Sequence, residues 1–235
     1  MYLAIIPAYN EEKSIGIILK KIGEYVDHVV VIDDCSTDKT AELAKDLGAT
    51  VLHHHRNQGV GAAMITGIEY AKKMQPKIVL TIDADGQHKL EDIPRLLKPI
   101  AAGTAECVLG SRFLRKRPVD MPFIKSMGNR FLTMVTSLLA GVRLTDTQTG
   151  FRAFNQRALL ALDLVSKFTY TQEMILVLCH KGYRCTEVPI RASPRKHGNS
   201  KVTSNIARYA INSLFIMIRT FLRLRIKSGS KNGYT

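Results

Sequence analysis

Short, wholly apolar runs alternate with longer stretches in which apolar residues recur every third or fourth position through the first 110 residues. The runs Tyr2–Ile6, Val29–Ile32, Thr50–Leu52, Ile78–Ile82 and Cys107–Leu109 are of strand length and carry no charge, as expected of strands buried on both faces. Between them, Glu12–Tyr25, Thr37–Leu47, Ala62–Lys73 and Leu90–Ile100 have the helical period. Alternation at this spacing predicts an α/β fold. It would be a mostly parallel sheet flanked by helices, with ligands at the carboxyl ends of the strands.

Beyond residue 120 the pattern coarsens. Pro122–Val142 predicts a longer helix broken at Gly128, followed by a strand near Phe151–Phe154, a helix near Gln172–Lys181 and a strand near Arg184–Val188. Arg191–Lys201 reads as a loop. In the last helix, roughly Val202–Lys227, Asn205, Arg208, Asn212, Arg219, Arg223 and Lys227 fall within about a 100° sector, and most other positions are apolar. A narrow cationic stripe beside a broad apolar face is the pattern of a helix lying in a membrane interface. The competing reading is a terminal helix packed on the domain's own core. The chain thus divides into a domain over residues 1–201, an interfacial helix over 202–227 and a flexible tail over 228–235.

Charge sharpens this picture. The chain has 34 Lys and Arg against 20 Asp and Glu, a net charge of +14, which calls for a polyanionic partner. No acidic residue follows Glu187, while ten Lys or Arg do; a second cluster gathers Arg112, Arg115, Lys116, Arg117, Lys125 and Arg130. The polyanion site therefore belongs mainly to the second half of the chain. The four cysteines are too far apart for a paired zinc pattern and read as reduced thiols of a cytosolic protein. No apolar stretch reaches the roughly 18 to 20 residues needed to span a bilayer, and the N-terminal run lacks the basic lead of a signal peptide.

The strand ends carry the candidate chemistry. Asp83-Ala84-Asp85-Gly86-Gln87-His88 directly follows a buried run, so two carboxylates can face one cation with Gln87 adding a neutral oxygen; such ligands suit Mg2+ or Mn2+ bridging a diphosphate. Asp33-Asp34, followed by Ser36, Thr37 and Asp38, ends another strand, where a ribose or base can be held; a helix cap plus a turn is the alternative. Pro7-Ala8-Tyr9-Asn10-Glu11-Glu12 ends the first strand and offers an aromatic ring to a base. Three such strand ends together describe a nucleotide site. His53-His54-His55 does not converge on an ion, because consecutive strand residues alternate faces. The Gly59 and Gly61 pair lacks the rest of a dinucleotide fingerprint.

These segments, with Asn57-x-Gly59-x-Gly61 and Gly110-Ser111-Arg112, resemble the ordered motifs of the family 2 inverting glycosyltransferases. Asp146-Thr147-Gln148-Thr149-Gly150-Phe151-Arg152 and Arg195-x-x-Gly198-x-Ser200-Lys201 resemble the polyprenyl- or dolichyl-phosphate mannose and glucose synthases. The resemblance implies a GT-A fold that binds a nucleotide-diphosphate sugar, GDP-mannose or UDP-glucose, with Mg2+ or Mn2+. Carried over by position, it implies Pro7, Tyr9, Glu11, Ile32 and Asp34 around the nucleotide, Asp83 and Ala84 beside it, and Asp85 and Gln87 on the metal. It also implies that Arg112, Arg195 and Lys201 contact the donor diphosphate or the acceptor phosphate.

The acceptor class fits the charge. A lipid monophosphate is largely ionised at neutral pH, so it needs little help from a base but does need cations to meet a second polyanion. Direct displacement inverts the anomeric centre. If a base is used, Asp146 is the first candidate, against a structural turn role; Glu173 is the candidate for orienting sugar hydroxyls, against a helix-terminus acid. The expected protein is a peripheral enzyme of the cytoplasmic membrane face, docked on anionic lipid and not on nucleic acid. Two alternatives stand beside it: a same-fold transferase with a soluble or protein acceptor, and a non-catalytic binder of anionic lipid or nucleic acid.

Overall fold

The computed structural model describes residues 1–114, 121–194 and 206–229. Among them, β1 (Tyr2–Ala8), β2 (His28–Asp33), β3 (Thr50–His53), β4 (Ile78–Thr81), β5 (Cys107–Ser111), β6 (Arg152–Asn155) and β7 (Cys185–Pro189) form one sheet in the order β3-β2-β1-β4-β6-β5-β7. Helices α1 (Glu12–Ile22), α2 (Thr40–Asp46), α3 (Val60–Met74), α4 (Ile93–Ala101), α5 (Phe123–Ala140), α6 (Gln156–Ala161), α7 (Thr171–His180) and α8 (Ile206–Gly229) cover it. The expected strands and helices are present to within a few residues, and α6 is an element the periodicity did not announce. Helix α5 runs unbroken through Gly128. A lone glycine costs a packed helix only about 1 kcal/mol, too little to break it.

Side-chain alternation builds two cores. Leu3, Ile5, Val30, Ile32, Val79, Cys107 and Leu109 face α3, α5, α7 and α8. Ala4, Ile6, Val31, Ile78, Leu80 and Val108 face α1, α2 and α4. The period of two thus splits each continuous apolar run between two helical layers.

One strand departs from the parallel expectation. Strand β6 runs antiparallel to both β4 and β5, with Arg152 beside Thr81 and Leu109 at their carboxyl ends. The chain leaves β5 at that edge, runs through α5 and returns to the same edge, so the next strand can only run back. This return lays Thr145–Gly150 beside the acidic turn after β4.

The last helix has one face in the core and one outside it. Ser213, Met217, Thr220 and Leu224 of α8 are buried, and Thr171 to Leu178 of α7 are buried throughout, with α5 and α8 packed against α7. The outward face of α8 carries Ile211, Phe215, Ile218, Leu222 and Ile226, each 48 to 73% exposed. Helix α5 presents Phe123, Ile124, Met127, Phe131, Met134 and Leu138 in the same manner. The cationic stripe is divided rather than continuous. Arg223 pairs with buried Glu173 at 3.0 Å and Lys227 with Asp163 at 2.9 Å, whereas Arg208 and Arg219 flank the exposed apolar row. Asn205 lies outside the described residues.

Candidate active site

The first two strand ends are laced together. Asn10 and Cys35 turn the chain with φ of 54° and 66°. Main-chain N–H groups of Asn10 and Glu11 donate to the hydroxyls of Ser36 and Thr40, while Thr37 N donates to Asn10 Oδ1 at 2.8 Å. Asp34 is buried, and its carboxylate accepts from His54 Nδ1 and from the N–H groups of Gln58 and Gly59 at 2.7 to 2.9 Å. It thereby closes the loop into α3. The glycines of that loop serve packing: a Cβ at Gly61 would lie 2.4 Å from the Ser166 carbonyl oxygen, which explains their spacing without a dinucleotide.

The turn after β4 gathers the acidic groups. Asp85 Oδ1 accepts from Gln87 N at 3.0 Å, and the Gln87 amide donates to the Ser193 carbonyl at 3.2 Å. His88 stacks on Phe151 and reaches Asp83 Oδ2 at 3.4 Å. Burial works against ionisation of Asp83, but the His88 contact and the Arg112 and Arg152 charges outweigh it and hold this carboxyl below its ordinary range. Asp83 lies over Gly150, where a Cβ would fall 2.4 Å from Oδ1 and 2.7 Å from the Tyr170 hydroxyl. Only glycine permits this approach.

Opposite stand the cations. Arg112, at the end of β5, grips Asp146 through Nε and Nη2 at 2.6 and 2.9 Å, and its main-chain N–H donates to the same carboxylate. Burial disfavours the Arg112 charge, but Asp146 more than compensates and raises its pKa. Lys125 of α5 is lowered, first by burial and then by Arg112 beside it. Asp83, Gln87, His88, Arg112, Lys125 and Gln148 line one cleft together with Thr149 and Ser193. Two cations and a carboxylate in one cleft suit a metal-bridged diphosphate.

Among the described residues no three His, Cys, Asp or Glu side chains converge as a self-contained cage. Asp85 and Gln87 offer oxygen donors of the kind that Mg2+ or Mn2+ accepts when substrate phosphates complete its shell. The residues fit.

Residues 3–161 match the model of Glycosyl transferase family 2. The chain belongs to that family. Among curated relatives of this glycosyltransferase, the undecaprenyl-phosphate mannosyltransferase of Micrococcus luteus is 33% identical over 89% of this chain and 90% of its own. The UDP-N-acetylglucosamine–dolichyl-phosphate N-acetylglucosaminyltransferase of Methanococcus voltae is 31% identical over 92% and 94%. Glucosyl-3-phosphoglycerate synthase of Mycobacterium tuberculosis, solved with UDP, shares the fold with a TM-score of 0.70 at 18% identity, covering 94% of this chain and 80% of that one. The transferase is thus a GT-A-type α/β protein.

Within this glycosyltransferase the expected site residues separate. Pro7, Tyr9, Glu11, Asp34, Asp83, Ala84, Asp85, Gln87, Arg112 and Asp146 all lie at the carboxyl edge of the sheet. Ile32 does not offer its side chain there, since it is fully buried against Gly67 of α3. Glu173 is likewise inside the protein; it accepts from the main-chain N–H groups of Val165 and Ser166 and from Arg223, with no face toward the cleft. Asp146 is fully buried with both oxygens engaged by Arg112, an arrangement unlike that of a general base. Arg195 and Lys201 lie outside the described residues.

Other groups escaped the sequence reading. Buried Arg152 donates to the carbonyls of Thr147, Thr149 and Thr171 and so shapes the Asp146–Gly150 loop from beneath. Glu187 accepts from Thr145 N and Asp146 N at 2.7 and 2.8 Å, tying that loop to β7. Arg152 is legible in the sequence as the last residue of the Asp146–Arg152 motif, but its place beneath the loop is not.

Proposed function

We propose that this glycosyltransferase moves a hexose, mannose or glucose, from a GDP- or UDP-linked donor to polyprenyl or dolichyl phosphate at the cytoplasmic membrane face. The observation that carries the reading is the single cleft in which the Asp83–Gln87 turn faces Arg112 and Lys125. The names of the relatives from Micrococcus luteus and Methanococcus voltae support the lipid acceptor. The exposed apolar rows of α5 and α8, flanked by Arg208 and Arg219, support access to it on anionic membranes.

In this reading Asp85 and Gln87 hold Mg2+ or Mn2+, with Asp83 beside the nucleotide along with Pro7, Tyr9, Glu11, Asp34 and Ala84. A bound cation supplies charge neutralisation for the departing diphosphate. Arg112, locked by Asp146, and Lys125 hold phosphate oxygens of donor and acceptor in one place, with Arg195 and Lys201 proposed for the same task. The acceptor phosphate arrives ionised and attacks without a base, so Asp146 acts as the positioning partner of Arg112. The expected product is β-linked from an α-linked donor.

The test is transfer of radiolabelled hexose from GDP-mannose and UDP-glucose into organic-extractable polyprenyl phosphate, with Mg2+ or Mn2+ and with Asp85→Ala as control. Metal-dependent labelled lipid from one donor, lost in the variant, is the expected result. Steady nucleotide release without lipid product, driven by water-soluble acceptors, would replace the lipid acceptor by a soluble one.

A further inference from the structure

Gln148 is a neutral amide that lines the same cleft as Gln87, whose own amide donates to the Ser193 carbonyl. Its orientation is dictated from behind. Gln172, fully buried, accepts through Oε1 from the Thr171 and Thr169 hydroxyls at 2.8 and 3.3 Å, which turns its own amide N–H toward Gln148. Gln172 Nε2 then donates to Gln148 Oε1 at 3.0 Å. The Tyr209 hydroxyl, reaching in from α8, donates to the same oxygen at 3.1 Å. With two donors on Oε1, the amide cannot flip without facing two N–H or O–H groups with its own donors. Among the described residues its Nε2 makes one long contact, 3.4 Å to Thr147 Oγ1, and the side chain lines the cleft.

The chemistry of the cleft sorts its possible ligands. Arg112 and Lys125 suit phosphate, and Asp83 with Asp85 suits a cation or a ribose. A fixed, uncharged N–H donor suits a neutral acceptor of hydrogen bonds; in a nucleotide sugar these are the hydroxyls of hexose and ribose and the carbonyls of the base, and beside the phosphate-binding cations the hexose hydroxyl is the one we assign. Building on the proposed function, we infer that Gln148 reads one hydroxyl of the transferred sugar, and that Gln172 and Tyr209 are positioning residues that fix its amide. Sugar selectivity is then set partly from α8, the helix with the exposed apolar row.

The test is calorimetric titration of wild type, Gln148→Ala and Tyr209→Phe with UDP-glucose, GDP-mannose, UDP and GDP in the presence of Mn2+. Gln148→Ala weakens the sugar nucleotide by about tenfold and leaves the free nucleotide within about twofold. Tyr209→Phe, which retains its ring against Phe168, shifts affinity the same way by a smaller factor and serves if the alanine variant misfolds. Among monodeoxy analogues of the bound donor, one loses about tenfold with wild type and nothing further with Gln148→Ala. Equal losses for nucleotide and sugar nucleotide, or deoxy penalties unchanged in the variant, overturn the inference. Lipid transfer is scored separately, so failure there sinks the acceptor assignment and leaves this comparison standing.

Discussion

Arg112 and Asp146 form a two-pronged ion pair, 2.6 and 2.9 Å, in which the carboxylate is fully buried and the guanidinium side chain keeps 15% of its exposure. The pair sits where β5 and the chain returning from α5 meet, so it converts a charge carried on one segment into a fixed feature of the cleft. An arginine held this way loses little entropy when a phosphate binds its remaining N–H groups.

Breaking that pair from one side is expected to be costly. Asp146→Ala strands a mostly desolvated cation and should destabilise the fold by about 3 kcal/mol or more, lowering Tm by roughly 10 °C. Replacing both partners, Arg112→Met with Asp146→Leu, should restore most of the Tm but not donor binding. Thermal scans beside nucleotide-sugar titration check this, and recovered binding in the double variant would remove Arg112 from the site.

Gly150→Ala should act on the acidic turn. The added Cβ displaces the Asp83 carboxylate, a side chain that can swing away, and also pushes on the buried Tyr170 hydroxyl, so the turn is displaced with some loss of stability. Mn2+-dependent nucleotide affinity should fall about tenfold to a hundredfold with unchanged circular dichroism. Unchanged affinity would mean that Asp83 takes no part in donor binding.

The outer row of α8 gives a membrane test that spares the core. Phe215→Ser and Leu222→Ser alter side chains 66% and 54% exposed, so stability should stay within about 0.5 kcal/mol while sedimentation with anionic vesicles drops. Deleting residues 202–235 is a poorer experiment, because it also strips Met217 and Leu224 from the core. Full vesicle binding by the double serine variant counts against docking through this helix.

Glu173 predicts a pH signature. Burial raises its pKa above the ordinary 4.5, outweighing the N–H groups of Ser166 and Val165 and the Arg223 charge. A carboxyl with a raised folded pKa contributes stability that is fully present below 4.5 and lost as pH rises through the raised value. Denaturant midpoints followed from about pH 4 to about pH 7 should therefore decline in wild type, with that component absent from Glu173→Gln. Parallel curves for the two proteins would show that the carboxylate ionises normally.

The order of strands and helices through residue 110, and the strand ends that carry Tyr9, Asp34, Asp83 and Asp85, were legible in the sequence. Each depends on local periodicity and on the rule that parallel strands deliver ligands at one edge. The cations of the second half were legible as charge, though not as partners. Ile32 illustrates the limit: it ends an apolar run beside Asp33, yet the pleat turns it into the core against α3.

What the sequence by itself determined was the alternating α/β architecture, the acidic turn after β4 and a basic second half, because these follow from the spacing of residue types along one segment. Only the tertiary structure decided that β6 runs back, that Asp146 belongs to Arg112, that Glu173 belongs to Arg223 and that Gln148 is fixed from α8. Those outcomes pair groups 34 to 61 positions apart in the chain. Which carboxylate meets which cation depends on the direction from which each segment returns to the sheet, a quantity that no local pattern encodes.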